Sequence, residues 1–330
     1  MNAEPRCLCT LEPLTDEGYS TKALDLLADG APIPAALDFR REDTPKLRRQ
    51  HAERMSISGV QDKLSLKLEH NKLRVTDTDG GYILKPIPST QLERLSSDVP
   101  ANEHLTMLLA REIFDIKAAA SALIRMSDGE LAYITRRFDR EVNGDKLPQE
   151  DFCQLLGRTS MTHGEHYKYD AAYEEIFNAL ENFCPTYRIE REKLFQLLCF
   201  NYLVANGDAH LKNFSIYRPN QDYILTPAYD LMSTKLHLPA ESRLGLEELY
   251  TDGRLAEGET THGFLTGTDW SEFARNMGIP SKRVARILKT FRDPDTYEAI
   301  FSLIERSFLS EDAKREYTSI ITDRRRAFEL

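Results

Sequence analysis

The shift from a mainly strand-like pattern before about residue 140 to a helical one after about residue 150 restricts what this chain can fold into more than any other feature. From Val60 to Leu68 polar and apolar residues alternate (Lys63, Leu64, Ser65, Leu66, Lys67, Leu68), the period-two pattern of a half-buried strand. Leu73 to Thr76 and Tyr82 to Lys85 read as further strands, and Asp79-Gly80-Gly81 between them predicts a hairpin turn. Pro100 opens a helix whose apolar positions Leu105, Leu108, Leu109 and Ile113 follow the 3.6-residue period. Ser121 to Arg125 and Glu130 to Phe138 predict two more strands joined at Asp128-Gly129. Beyond about residue 150 the pattern is helical, over 170–183, 189–205 and nearly all of 269–330. The glycine-bearing stretch 239–268 predicts a long surface loop.

The expected architecture is therefore α+β and two-lobed. A β-rich N-terminal lobe covers 1–140 and a helix-dominated C-terminal lobe covers 141–330, with the boundary in the loop at Asn143-Gly144-Asp145. Upstream, Thr21 to Gly30 predicts a short helix, and Arg40 to Arg54 is dense in charge and expected to be solvated. The 330 residues suffice for a substantial core, and 53 acidic against 43 basic side chains leave a net charge of −10. That charge argues against a protein that coats nucleic acid, and direct nucleic-acid binding is not expected. No apolar run approaches the roughly 20 residues of a membrane-spanning helix. The N-terminus lacks the basic and apolar pattern of an export signal, and the five cysteines are odd in number and scattered. A reducing cytoplasm is the expected location.

The segment Asn206 to Ile216 carries the most chemistry. An acid, Asp208, precedes an amide, Asn213, on a loop between a predicted helix and the predicted strand Phe214 to Tyr217. Metal-assisted phosphoryl transfer uses such a pair: the carboxylate takes a hydroxyl proton and the amide oxygen ligates Mg²⁺. A second acid, Asp230, follows the predicted strand Tyr223 to Leu225, so one hairpin brings Asp208, Asn213 and Asp230 to a common edge. Hard cations take such oxygen ligands. Lys85 ends an apolar strand just before Pro86 and offers a cation for nucleotide phosphates, and Glu103 in the following helix either orients Lys85 or complements the helix dipole. Ser56 to Lys63 forms a small, hydroxyl-rich turn whose backbone N–H groups suit phosphate oxygens, although one glycine makes it neither a Walker loop nor a three-glycine kinase loop. In His163-Gly164-Glu165-His166 the glycine opposes a rigid helix and no third ligand is evident, and Cys7-Leu8-Cys9 is too closely spaced and lacks a partner pair, so neither is expected to hold a metal. Lys168-Tyr169 has no role assignable from sequence beyond shaping a groove, and Arg324-Arg325-Arg326 reads as a solvated helix end.

Taken together these segments resemble the HipA family of serine/threonine kinase toxins. The matching pieces, in family order, are Ser56 to Lys63, Ile83 to Pro86, Asn102-Glu103, Arg137 to Arg140, Glu150 to Gln154, Gly207 to Ile216 and Tyr229 to Leu231. The resemblance implies a protein-kinase-like, HipA-like fold, with ATP and Mg²⁺ as cofactors. Asp208 would be the catalytic base, and Asn213 and Asp230 the metal ligands. The implied ATP contacts are Ser58, Gly59, Val60, Gln61, Asp62, Lys63 and Lys85, then Arg136, Arg137 and Phe138 as the adenine hinge. His210, Leu211, Lys212, Asn213, Tyr229 and Asp230 complete them. Arg136 stands where the family often has an acid, which preserves a backbone contact to adenine but not a side-chain one. Family members phosphorylate a serine of their own phosphate loop; Ser56 aligns with it and Ser58 is a second candidate.

Only 55 residues precede Ser56, so the chain resembles the short form, HipT, whose system adds a small HipS-like antitoxin and a HipB-like DNA-binding protein. The implied target is an aminoacyl-tRNA synthetase, tryptophanyl in preference to glutamyl, and the implied outcome is inhibited translation and persistence. A small-molecule or lipid kinase would share the same acids and lysine, and a non-catalytic antitoxin-binding module would share the fold.

Overall fold

A computed structural model describes residues 4–50, 63–141, 144–240 and 242–330. Ser56, Ser58, Gly59, Val60, Gln61 and Asp62 lie outside the described residues. The chain begins with α1 (Thr21–Ala28), capped by the Ser20 hydroxyl accepting from the Ala23 N–H and closed by Asp29 in the left-handed region. The charged segment that follows is largely exposed over its described residues and forms the helix α2 (Thr44–Gln50).

Five antiparallel strands then build the first sheet: β1 (Leu64–Glu69), β2 (Lys72–Val75), β3 (Tyr82–Lys85), β4 (Ser121–Arg125) and β5 (Leu131–Arg136), ordered β2-β1-β3-β5-β4. The hairpin expected at Asp79-Gly80-Gly81 does not form. The tight turn is His70-Asn71, both at positive φ, as a two-residue primed turn between Glu69 and Lys72 requires. The chain then crosses β1 to reach the far side, where Leu64 pairs with Leu84 and Ser65 with Ile83. Gly80 lies close against β1 on that crossover, where a Cβ would fall 1.8 Å from Ser65 Oγ and the serine would have to turn aside.

Side-chain alternation gives the sheet two buried faces. Leu64, Leu66, Leu84, Ala122, Ile124, Ala132 and Ile134 pack with Cys7, Cys9, Leu27 and Ile33 of the N-terminal segment. Tyr133 joins the larger core with α3 (Val99–Glu112), whose residues 99–110 are all buried. A helix buried on every side is consistent with its position between the sheet and the helical half.

The second half carries α4 (Phe152–Leu155), α5 (Ser160–His163), α6 (Tyr173–Phe183), α7 (Tyr187–Leu203) and α8 (Glu257–His262). It ends with α9 (Gly267–Asn276), α10 (Ser281–Thr290), α11 (Pro294–Arg306) and α12 (Glu311–Glu329). A small antiparallel sheet of β6 (Gln149–Asp151), β7 (Ser215–Tyr217) and β8 (Ile224–Leu225) lies among them in the order β6-β7-β8. Gln149–Asp151 is thus a strand, and Asp151 caps α4 by accepting from the Gln154 N–H at 2.9 Å. The stretch 239–268 is not a surface loop either, since Leu246, Leu249, Tyr250 and Leu265 are buried and α8 falls within it. Arg324 is likewise buried, its guanidinium 4.4 Å from the centre of the Tyr202 ring. Among the described residues no helix is long and apolar enough to cross a membrane. All five cysteines are free and buried.

Candidate active site

Strand alternation decides which way Lys85 points. Leu84 enters the core shared with the N-terminal segment, so Lys85 faces α3, where its amine lies 5.4 Å from the centre of the Tyr133 ring. There Lys85 Nζ donates to Glu103 Oε1 and to Asp230 Oδ1. Lys85 and Glu103 are almost completely buried. Glu103 therefore orients the lysine; it lies beyond the first turn of α3, the turn in which a carboxylate would complement the helix dipole. Lys63 approaches the other oxygen, with Nζ 3.6 Å from Asp230 Oδ2.

These charges perturb one another. Burial opposes the charge of Lys85, but Asp230 and Glu103 outweigh it and hold the amine above its ordinary value. Burial pushes the Glu103 carboxyl up to about 7, against the pull of Lys85. Burial acts in the same direction on Asp230, yet Lys85 and Lys63 overcome it and keep that carboxyl well below the usual carboxylate range. Asp230 adopts φ +57°, a left-handed conformation that costs a non-glycine residue about 1 kcal/mol.

The loop after α7 is stitched from several sides. Ala205 turns the chain at φ +52°, and the Asn206 N–H and side-chain amide donate to the Asn201 carbonyl and Oδ1, each at 2.9 Å. The Gly207 N–H donates to Thr234 Oγ1 at 2.8 Å, and that hydroxyl donates to the Ala205 carbonyl at 3.2 Å. The Asp208 carbonyl accepts from the His210 N–H at 2.8 Å and from Asn213 Nδ2 at 3.1 Å. The side chain of Asp208 faces solvent, 45% exposed, with His210 Nε2 3.7 Å from Oδ1. Burial lowers the His210 pKa although Asp208 and Asp230 both act to raise it, so this ring lies within electrostatic reach of both acids.

The remaining expected residues divide in their placement. Tyr229 donates its hydroxyl to the Lys212 carbonyl at 2.7 Å and pairs with Ser215 Oγ at 2.5 Å, fixing the segment before Asp230 to the Asp208 loop. Lys212 spends its amine on Asp151 at 2.8 Å, and Leu211 is fully buried. Phe138 lies against Tyr217 and Tyr229, with ring centres 5.8 and 5.7 Å away. Arg137 pairs with Asp139, and Arg136 makes a two-point pair with Asp29 at 2.8 and 2.5 Å. The backbone N–H groups of Arg136 and Arg137 are also taken, by the Ala120 and Gly81 carbonyls.

Sequence reading missed Gly245. A Cβ there would fall 2.4 Å from the Ala209 carbonyl atoms, so this glycine is the floor on which the Asp208 loop rests. Asn102 is singled out in sequence only as part of the Asn102-Glu103 match, without a partner; its side chain donates to the Ser233 carbonyl at 2.9 Å and accepts from the Ser233 N–H at 3.1 Å. A lone glycine in Leu244-Gly245-Leu246 and an Asn beside Glu103 were the available signals, and neither identifies its partner.

The donor set fits a metal–nucleotide ligand. Mg²⁺ is typically held by one or two protein oxygens together with phosphates, and the Asp230 carboxylate and Asn213 amide supply such oxygens. Lys63 and Lys85 place two amines beside Asp230.

Known proteins share this arrangement of elements. The Shewanella oneidensis toxin HipA, solved with HipB and its operator DNA, superposes with a TM-score of 0.62 at 22% identity, over 84% of this chain and 65% of that one. The Helicobacter pylori proinflammatory kinase CtkA gives a TM-score of 0.56 at 15% identity, over 84% and 91% of the two chains. The protein thus has the mixed α/β kinase-like fold of HipA and CtkA. In sequence it is 29% identical over 320 residues to a Haemophilus influenzae protein named “Putative kinase”, covering 90% of both. It is 26% identical over 209 residues to the Shewanella serine/threonine-protein kinase toxin HipA, spanning 46% of that protein's length. Residues 55–317 match the family described as the HipA-like C-terminal domain, and the chain belongs to that family.

Proposed function

We propose that this protein is an ATP- and Mg²⁺-dependent serine/threonine protein kinase acting as the toxin of a toxin–antitoxin system. The observation that carries the reading is the junction of Lys85 with Glu103 and Asp230, beside a loop presenting Asp208 and Asn213. Mg²⁺-ATP, when bound, supplies the transferable phosphoryl group, with Asn213 and Asp230 as metal ligands and Lys85 and Lys63 as phosphate contacts. Glu103 keeps Lys85 aimed into the cleft. Asp208 accepts the proton of the acceptor hydroxyl, which it can reach because its side chain is open to solvent. His210 lines the nucleotide side, and burial favours its neutral form. Adenine is placed at Arg137 and Phe138, between the lobes 1–140 and 141–330. The Arg136 side chain takes no part, because Asp29 holds it.

In this reading Ser58 to Lys63 cover the phosphates, and Ser56 or Ser58 becomes phosphorylated by the protein itself. The toxin role draws on the Shewanella relative, named a kinase toxin and solved with HipB and operator DNA. By the resemblance to the short form, the partners are a HipS-like antitoxin and a HipB-like protein, and the substrate is an aminoacyl-tRNA synthetase, tryptophanyl in preference to glutamyl. Incubation of the purified protein with γ-³²P-ATP and Mg²⁺, followed by phosphopeptide mapping, tests the enzymatic core. Self-labelling at Ser56 or Ser58 is expected, with loss of at least about 10²-fold in Asp208→Asn and an unchanged melting temperature. A fully active Asp208→Asn would remove the assigned base.

A further inference from the structure

Asp208 has company on its open side. Tyr169 donates its phenolic hydrogen to Asp208 Oδ1 at 2.5 Å. Lys168 Nζ lies 4.0 Å from the same oxygen and 4.8 Å from the centre of the Tyr169 ring. That ring meets His210 edge-on at 5.2 Å. The backbones are joined as well, for the Leu211 N–H donates to the Lys168 carbonyl at 3.0 Å.

The dipeptide is anchored from behind. The Tyr169 N–H donates to the His166 carbonyl and the Ala171 N–H to the Tyr169 carbonyl, both at 2.8 Å. Arg158 donates to the neighbouring Asp170 carbonyl and pairs with Glu175 at 2.6 Å. Lys168-Tyr169 therefore meets Asp208 from a backbone that is itself held in place.

The two oxygens of a carboxylate are equivalent until one is engaged. A donor fixed on Oδ1 breaks that equivalence, leaves Oδ2 for an incoming proton and opposes rotation of the carboxylate, whose terminal torsion is otherwise broad. A misplacement of about 1 Å at a reacting group costs roughly 10²-fold in rate. Resting on the reading of Asp208 as the base, we infer that Tyr169 and Lys168 are positioning residues for phosphoryl transfer. The Tyr169 hydroxyl sets the orientation of the Asp208 carboxylate, and the Lys168 ammonium secures the same oxygen by charge.

Tyr169→Phe keeps the ring against His210 and removes only the donor. In self-labelling with γ-³²P-ATP and Mg²⁺, its rate at saturating ATP is expected to fall at least about ten-fold, with the half-saturating ATP concentration unchanged. Lys168→Met is expected to show the same split with a smaller fall, about three-fold. Asp208→Asn, run alongside, separates the two assignments. If it labels at the wild-type rate, the base assignment fails and the positioning roles fail with it. If it is inactive while Tyr169→Phe and Lys168→Met both label within about two-fold of wild type, the base stands and the positioning inference is overturned. A rate restored in Tyr169→Phe by raising ATP also overturns it, because the hydroxyl would then serve nucleotide binding. Should Tyr169→Phe fail to fold, Lys168→Met carries the same test alone.

Discussion

A buried lysine between two carboxylates is costly to desolvate, and the arrangement persists because each charge offsets the burial of another. Lys85, Glu103 and Asp230 share that burden unequally. Asp230 also has Lys63 and keeps its charge, whereas Glu103, almost completely buried, is raised to about 7. The folded protein therefore retains the Glu103 proton through a range in which the unfolded chain, near the ordinary 4.5, has released it. This group's contribution to stability is complete below that ordinary value and is lost as pH rises towards 7. Glu103→Gln is expected to flatten the pH dependence of unfolding between about pH 4.5 and 7, which urea midpoints at the two ends of that range would register. An unchanged slope in the variant would show that the proton resides elsewhere.

At the scale of elements, the site depends on segments that sequence reading treats as filler. The stretch 239–268 has no strong periodicity, yet Gly245 packs under Ala209 and its N–H donates to the Tyr173 hydroxyl at 3.2 Å. In Gly245→Ala the new methyl would meet backbone rather than a side chain that can turn aside. The loop must shift, at an expected cost of about 1–3 kcal/mol in stability. Self-labelling should fall by at least about ten-fold because Asp208 moves with its loop. Thermal unfolding and labelling rate, measured on the same preparation, check both effects. The β6 strand plays a comparable part. Pairing Asp151 with Ser215 aligns Asp151 to cap α4 with one oxygen and to hold Lys212 with the other.

For the molecule as a whole, α3 is the shared member. Its Glu103 reaches the sheet through Lys85, and its Asn102 grips Ser233, three residues beyond Asp230. Thr106 meets the Tyr317 hydroxyl of α12 at 2.9 Å, and just before the helix Asp98 accepts from the Ser310 N–H and hydroxyl at 2.6 and 2.8 Å. The sheet half and the helical half are thus fastened to one buried rod, and a ligand that bridges them stabilises both. Mg²⁺-ATP at one hundred times its dissociation constant is expected to add about 2.7 kcal/mol, roughly 4 °C in melting temperature for a chain of this size. Asp230→Asn should abolish the Mg²⁺-dependent part of that shift in a thermal-shift titration. A full shift in the variant would place the metal on other ligands.

Much of this was legible from local pattern. The five strands, α3, α7 and the helical C-terminal stretch follow from periods of 2 and 3.6, which a residue and its near neighbours set by themselves. Asp208, Asn213, Asp230 and Lys85 could be singled out because their chemistry and their places at element ends are also local properties. The crossover that inserts β1 between β2 and β3 was not legible, since Asp79-Gly80-Gly81 satisfies the same turn rule as a hairpin. Nor could the contacts of Gly245 with Ala209, Tyr169 with Asp208 or Arg136 with Asp29 be read, because each joins residues whose own neighbours carry no record of the partner. Local sequence pattern sets which elements form and which side chains can do chemistry. Tertiary packing alone decided which of them meet, because burial of distant apolar faces, led by α3, sets the approach of groups that local propensity leaves unconnected.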